Sequence, residues 1–256
     1  MLRQLLGCLI PLLSLTACYF PFGPVAGNGN VVREVRSVSG MTALENAGAM
    51  EVTVQVGPED SCTLEMEENL LGYIETTVVS GTLVIRTRTG SSLASTLPMR
   101  ATVTMKKLTI ATLTGSGNLD LTGIASNELC LILAGSGSLT SRGGGSAVSA
   151  SLTGSGNLLA SGFSATTVTG DLSGSGTLTL SGRANTLRAT LTGSGNLEAG
   201  GLTSGDGDLS LVGSGNATVD LSRSLKASLL GSGSVYYSGN PTLSVVGTGS
   251  GRVVKR

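Results

Sequence analysis

From residue 101 onward, short runs of alternating aliphatic and polar side chains are broken by Gly-Ser-Gly or Gly-Thr-Gly triplets followed by Asn, Ser or Thr. The triplets begin at Gly115, Gly135, Gly154, Gly174, Gly193, Gly213, Gly231 and Gly247, at intervals of 20, 19, 20, 19, 20, 18 and 16 residues. Two positions before each first glycine stands Leu113, Leu133, Leu152, Leu172, Leu191, Leu211, Leu229 or Val245, and four after it come residues such as Leu119, Leu139 and Leu158. A period of two predicts strands hinged on a glycine turn. Strands this short cannot bury an apolar face alone, so even spacing predicts that each unit stacks on its neighbour. The expected fold is all-β: a β-solenoid, in the form of a single-stranded and right-handed β-helix, with coils of about 19–20 residues spaced about 4.8 Å apart.

A second repeat length competes with the first. Gly115, Gly154 and Gly193 open near-identical Gly-Ser-Gly-Asn-Leu segments 39 residues apart, so a coil of 39 residues with two similar sides also satisfies the spacing. The outward position five before the glycine holds Arg188, Asp208 and Lys226 in successive units. A short coil sets Asp208 between two cations, whereas the long coil sets Arg188 over Lys226. Charge pairing therefore favours the short coil, by the 0.2–1 kcal/mol typical of exposed pairs.

Residues 31–100 differ in texture, with fewer glycines, longer strands and nine acidic against five basic side chains. Strands are expected around Val52–Val56, Cys62–Met66, Tyr73–Val79 and Thr82–Arg86, with one helical turn over Glu67–Leu71. We read 31–100 as wider first coils or a cap on the rod's edge, continuous with the repeat solenoid of 101–256. Residues 18–30, with Pro21, Pro24 and three glycines, read as a short tether.

Composition narrows the chemistry. The chain has no His and no Trp, which removes Ser/His/Asp and Cys/His catalytic layouts and histidine-bound catalytic zinc. Residues 1–17 read as a signal peptide: Arg3 begins it, and an apolar run too short to span a bilayer follows. The run ends in Leu15-Thr16-Ala17-Cys18, which resembles the lipobox of bacterial lipoproteins. That resemblance implies lipid attachment at Cys18, cleavage before it and partnership with a lipid membrane. Tyr19 after the anchor resembles the outer-membrane pattern. The mature chain then carries fifteen basic and sixteen acidic groups, a balance that does not steer nucleic acid. Cys62 and Cys130 remain in its body, in opposite strand phases that argue against a bridge.

Val38-Ser39-Gly40-Met41, Glu65-Met66-Glu67-Glu68-Asn69-Leu70 and Tyr73-Ile74-Glu75, followed by the serial Gly-Ser-Gly-Asn units, resemble the auto-transporter adhesin head GIN domain family. The resemblance covers roughly 33–250 and implies a β-helical protein of the bacterial surface or periplasm, often a lipoprotein. It supplies no receptor and no catalytic residue. The residues themselves point the same way. The triplets lack the lysine and helix of a phosphate loop. Glu65 and Glu67 share a strand face, but Glu68 breaks the phase and the stretch is expected along an exposed surface. Asp206 and Asp208, with Asp220 in the same unit, form a candidate weak cation site, whose bland alternative is a solvated turn. Tyr236 is the candidate surface contact, with edge cover as the alternative. The expectation is a non-catalytic envelope lipoprotein without cofactor that binds a glycan or another envelope protein. A passive scaffold is the alternative, and a polysaccharide-acting enzyme the remote one.

Overall fold

The rod begins where β3 (Ala43–Gly48) and β4 (Glu51–Val56) lay down its first rung, after the short strands β1 (Val25–Ala26) and β2 (Val31–Arg36). The computed structural model describes residues 23–256. From Gly57 the chain leaves the rod to form β5 (Ser61–Glu67), a 3-10 turn over Glu68–Tyr73, the hairpin β6 (Ile74–Val79) and β7 (Thr82–Thr87), then β8 (Leu93–Ala94) and β9 (Arg100–Met105). It returns at β10 (Ile110–Gly115), which lies parallel to β3 with Gly115 opposite Gly48. The remaining strands are β11 (Asn118–Gly135), β12 (Ser138–Gly154), β13 (Asn157–Gly174), β14 (Thr177–Gly193), β15 (Asn196–Gly213), β16 (Ala217–Gly231), β17 (Val235–Ser238), β18 (Thr242–Gly249) and β19 (Val253–Lys255). All of them stack in parallel, so the fold is a β-solenoid.

Leu191 pairs with Leu172 on one side and Leu211 on the other, which makes the coil 19–20 residues and removes the 39-residue alternative. Arg188, Asp208 and Lys226 do form one column, yet no ion pair among the described residues joins them. The column is therefore a consequence of backbone register and not its cause. Inside, Leu113, Leu133, Leu152, Leu172, Leu191, Leu211 and Leu229 are all buried. The column four before each glycine is mostly small, Ala111, Ala150, Gly170, Ala189 and Ala227, with Leu131 and Leu209 each set between small neighbours. No two leucines are stacked in that column, so each has room above and below it.

The Gly-Ser-Gly corners exist because backbone lies directly on backbone. The Gly115 carbonyl accepts the Ser136 and Gly137 N–H groups of the next coil at 3.0 and 3.1 Å, and the same pair of bonds recurs at each higher corner. A Cβ on Gly135, which has φ +136°, would stand 2.3 Å from the Gly115 oxygen, and one on Gly137 would stand 2.2 Å from the Gly117 oxygen. Neither position admits a side chain.

Two corners differ from the sequence expectation for reasons of position. The first is Gly48-Ala49-Met50, level with Gly115-Ser116-Gly117. A Cβ on Gly48 would meet nothing within 4 Å, so the stacking demand that writes the triplet is missing there. The last corner begins at Gly249, not Gly247. Gly249 lies on Gly231, whose carbonyl accepts the Ser250 and Gly251 N–H groups, while Gly247 sits mid-strand opposite Leu229. The overlapping glycines fit the triplet twice, and only the second choice sets Val253 over Val235.

The segment inserted between the first and second rungs meets the rod's end through parallel strands and turns antiparallel only beyond them. β5 runs antiparallel to both β2 and β9, and β9 runs parallel to β4. β7 lies parallel to β3, and its hairpin turns through Ser80 (φ 49°) and Gly81 (φ 78°). Met41, Met50, Cys62, Leu64, Met66, Leu70, Leu83 and Ile85 fill this end.

Candidate functional site

Each coil turns inward three times, as in β11, where Leu119 with Leu121, then Ile124, then Leu129 with Leu131 and Leu133 are buried. The middle side is the irregular one. Coils of 19 and 20 residues absorb their difference there, and the ladders shift register between Leu121 and Ile124, Arg142 and Ala147, Ala160 and Phe163, and Thr179 and Ser181. A hollow of about 670 Å³ follows, lined by Lys106 and Lys107, by Ser126 and Asn127, by Gly143-Gly144-Gly145-Ser146, and by Phe163 and Ser164. A second of about 440 Å³, around Ser164, Arg183, Asn185, Thr203, Ser204 and Arg223, continues it along the stack through the shared Ser164. The floor is mainly hydroxyls, amides and bare backbone, because three consecutive glycines, Gly143 to Gly145, leave no side chains there. On the adjacent side a further hollow of about 680 Å³, lined by Ile110, Glu128, Cys130 and Thr169 among others, adjoins the first through the shared Lys107 and Asn127.

Neither hollow of the trough includes an acidic residue. Lys106, Lys107 and Arg183 are exposed and join no ion pair among the described residues. Arg223 closes the far end. It donates to Asp206 at 2.6 Å and to the Asn185 carbonyl at 3.2 Å. It lies over Gly205, where a Cβ would come within 2.5 Å of the guanidinium.

Asp206 is thus held by Arg223 and by the Ser224 hydroxyl at 2.7 Å. The hydrogen bonds from Arg223 and then Ser224 keep its carboxyl below the usual range. Asp208 is exposed two positions on. Asp220 accepts from Ser238 at 2.8 Å and Thr203 at 3.4 Å. Among the described residues, no three His, Cys, Asp or Glu side chains come together as a metal set. Tyr236 stands between Thr218 and Val254 in the ladder, with the Arg256 guanidinium 4.5 Å above its ring, a cation–π contact. Tyr237 packs on the core. Cys62 and Cys130 are both free; burial raises the Cys62 thiol to about 11 and also raises Cys130. Leu15, Thr16, Ala17 and Cys18 lie outside the described residues, as does the signal over 1–17.

Glu67 corrects the sequence reading most sharply. Its strand phase matches that of Glu65 and was expected to face water, yet it is 0% exposed. The reason is the chain that covers it. β1 pairs with β8, and Gly29 N–H (2.7 Å), Thr96 O–H (2.7 Å), Ser95 O–H (2.8 Å) and Thr96 N–H (3.0 Å) all donate to its carboxylate. Those donors, the Thr96 hydroxyl foremost, hold its pKa down at about 2. The second half of the expected tether is accordingly docked. Asn28 N–H bonds to Asn69 and the Asn69 amide bonds to the Ala26 carbonyl. No signal in the sequence marks this, because the donors come from segments that are remote along the chain.

The stacked fold and its serial glycine corners match a protein-family model over residues 40–241, described as "Putative auto-transporter adhesin, head GIN domain". The chain belongs to this family. Solved structures share the fold. A putative adhesin from Parabacteroides distasonis superposes with a TM-score of 0.87 at 20% identity, over 91% of this chain and 100% of its own. A putative lipid binding protein from the same organism gives 0.84 at 23% identity over 91% and 100%. A putative adhesin from Bacteroides fragilis gives 0.65 at 19% over the same shares. At these identities the likeness is one of fold. Among curated proteins none matches the chain.

Proposed function

We propose that this GIN-domain protein is a non-catalytic binding module of the bacterial cell envelope, held to the outer membrane by acyl chains on Cys18 and engaging an extended ligand along the side of its rod. The observation that carries the reading is the trough: an open, polar channel crossing many coils, floored by backbone and hydroxyls, on a rigid body. The Leu15-Thr16-Ala17-Cys18 box supports the anchor, and two acyl chains there suffice for stable attachment where one does not. Residues 31–100 cap the rod: β7 and the strand that begins at Arg100, β9, pair in parallel with the first rung at β3 and β4, and the antiparallel β6 and β5 then cover the outer edges of those two strands. The lipid-binding name carried by one structural relative fits less well here, because the trough lacks the apolar wall an acyl chain needs.

Two measurements test the reading. Mass spectrometry of the mature amino terminus is expected to find acylated Cys18; a free terminus defeats the anchor. A glycan array probed with the mature protein is expected to retain specific sugars. Retention of none, with in-cell cross-linking that returns only envelope proteins, replaces the binding module by a scaffold.

A further inference from the structure

The trough has a direction of charge and a spacing, and both restrict what fits. Its lining runs from Lys107 through Asn127, Gly145, Ser164, Arg183 and Ser204 to the closure at Arg223, six coil steps, or about 29 Å at 4.8 Å per step. Within that length Lys106, Lys107 and Arg183 are exposed and unpaired among the described residues, and no carboxylate lines the floor. Two nearby acids are occupied: Asp60 accepts the backbone N–H groups of Gly40 and Lys106, and Asp206 is spent on Arg223. A third, Glu128, is exposed beside Asn127 and lines the adjoining hollow with Lys107, so among the described residues the trough is bounded by one free carboxylate on that flank.

Resting on the binding-module reading above, we infer that the trough takes a linear carboxylated polysaccharide, with acidic sugars at Lys106/Lys107 and at Arg183 and neutral hydroxyls against the glycine floor between them. Charge density decides against nucleic acid. Three cations in about 29 Å is one per roughly 10 Å, whereas a single strand carries a phosphate every ~3.4 Å, and most would go unmatched. Stacking is also missing, since Phe163, the aromatic of the lining, is 5% exposed and offers no ring face to a base. Sugars need neither. Their hydroxyls pair with the serine, asparagine and backbone groups that make up the floor.

The test is isothermal titration of the full mature chain, at low salt, with an oligogalacturonate long enough to span the trough and with its carboxyl-reduced counterpart. The reduced glycan is expected to bind at least about tenfold more weakly. Lys106→Ala with Lys107→Ala is expected to weaken the acidic glycan about tenfold and Arg183→Ala about threefold, the sizes that exposed ionic contacts allow. Lys255→Ala, at the rod's far end, is expected to leave affinity unchanged. All three sites are exposed, and an unchanged melting curve certifies each variant as folded. The inference is overturned by equal binding of the reduced glycan, by no binding of the acidic one to the folded chain, by an equal loss in Lys255→Ala, or by single-stranded DNA binding as tightly. If the array retains neutral glycans while oligogalacturonate fails here, the inference falls and the binding module stands; if the array retains none, the broader reading falls with it.

Discussion

At Glu67 one carboxylate joins three remote stretches of chain: the entry segment at Gly29, the end of β5, and the loop at Ser95 and Thr96. A charge so enclosed survives because donors surround it in place of water. Its folded pKa of about 2 lies below the ordinary 4.5. The stabilisation is therefore complete above about 4.5 and is lost as pH falls from there through about 2. Melting temperature is expected to drop on acidification across that window. In Glu67→Gln, whose amide presents N–H groups to donors, the dependence is expected to flatten and hydrogen exchange over 25–30 to quicken at neutral pH. An unchanged acid profile in that variant would place the titration elsewhere. Gly27 has a related role, since a Cβ there would overlap the carboxylate at 2.0 Å. None of this was legible in the sequence. Strand phase reports which way a residue points from its own sheet, and it is silent about a second layer folded over that sheet from forty residues away.

The coil, by contrast, was almost wholly legible, because the same steric demand recurs at each level and writes the same letters. Gly154→Ala tests that demand. Its φ is +118° and the new Cβ would sit 2.4 Å from the Gly135 oxygen, which also accepts the Ser155 and Gly156 N–H groups at 3.0 Å. Denaturation is expected to show a loss of about 2 kcal/mol or more. Gly48→Ala, at φ +159° but with no atom within 4 Å of the new Cβ, carries conformational strain without the backbone clash and is expected to cost less than Gly154→Ala. Equal losses at both would mean that corner conformation alone, and not stacking, selects glycine. The same contrast explains the errors at the two ends. Gly48-Ala49-Met50 escaped notice because nothing lies below it, and Gly247 was preferred to Gly249 because overlapping glycines satisfy the pattern twice. The short coil followed from the alternation of Arg188, Asp208 and Lys226, and it is correct, yet those side chains form no ion pairs. Backbone ladders fix the register and the charges merely tolerate it.

Across the whole molecule, each coil contacts chiefly the coils on either side, so the rod is close to one-dimensional. The trough is a product of that arrangement and was invisible beforehand. Lys106, Lys107 and Arg183 are distant in sequence, and their common side emerges only where coils of 19 and 20 residues reconcile their lengths. A deletion tests the one-dimensional character. Removing Ser175–Gly193 takes out one complete coil and joins Gly174 to Ser194, which restores a Gly-Ser-Gly corner. The shortened chain is expected to fold, with its long axis reduced by about 4.8 Å in X-ray scattering. Removing half as many residues at the same place would misalign every inward leucine above the cut and is expected to give aggregate.

The doubly bonded glycine carbonyl carries a consequence for reach. Since corners lock only when a full circuit closes beneath them, the distance from the capped end to the far tip can change by whole circuits and by no smaller amount. Lengthening such a mast leaves the channel on its flank straight and merely extends it, so stature and grip are set by one and the same count.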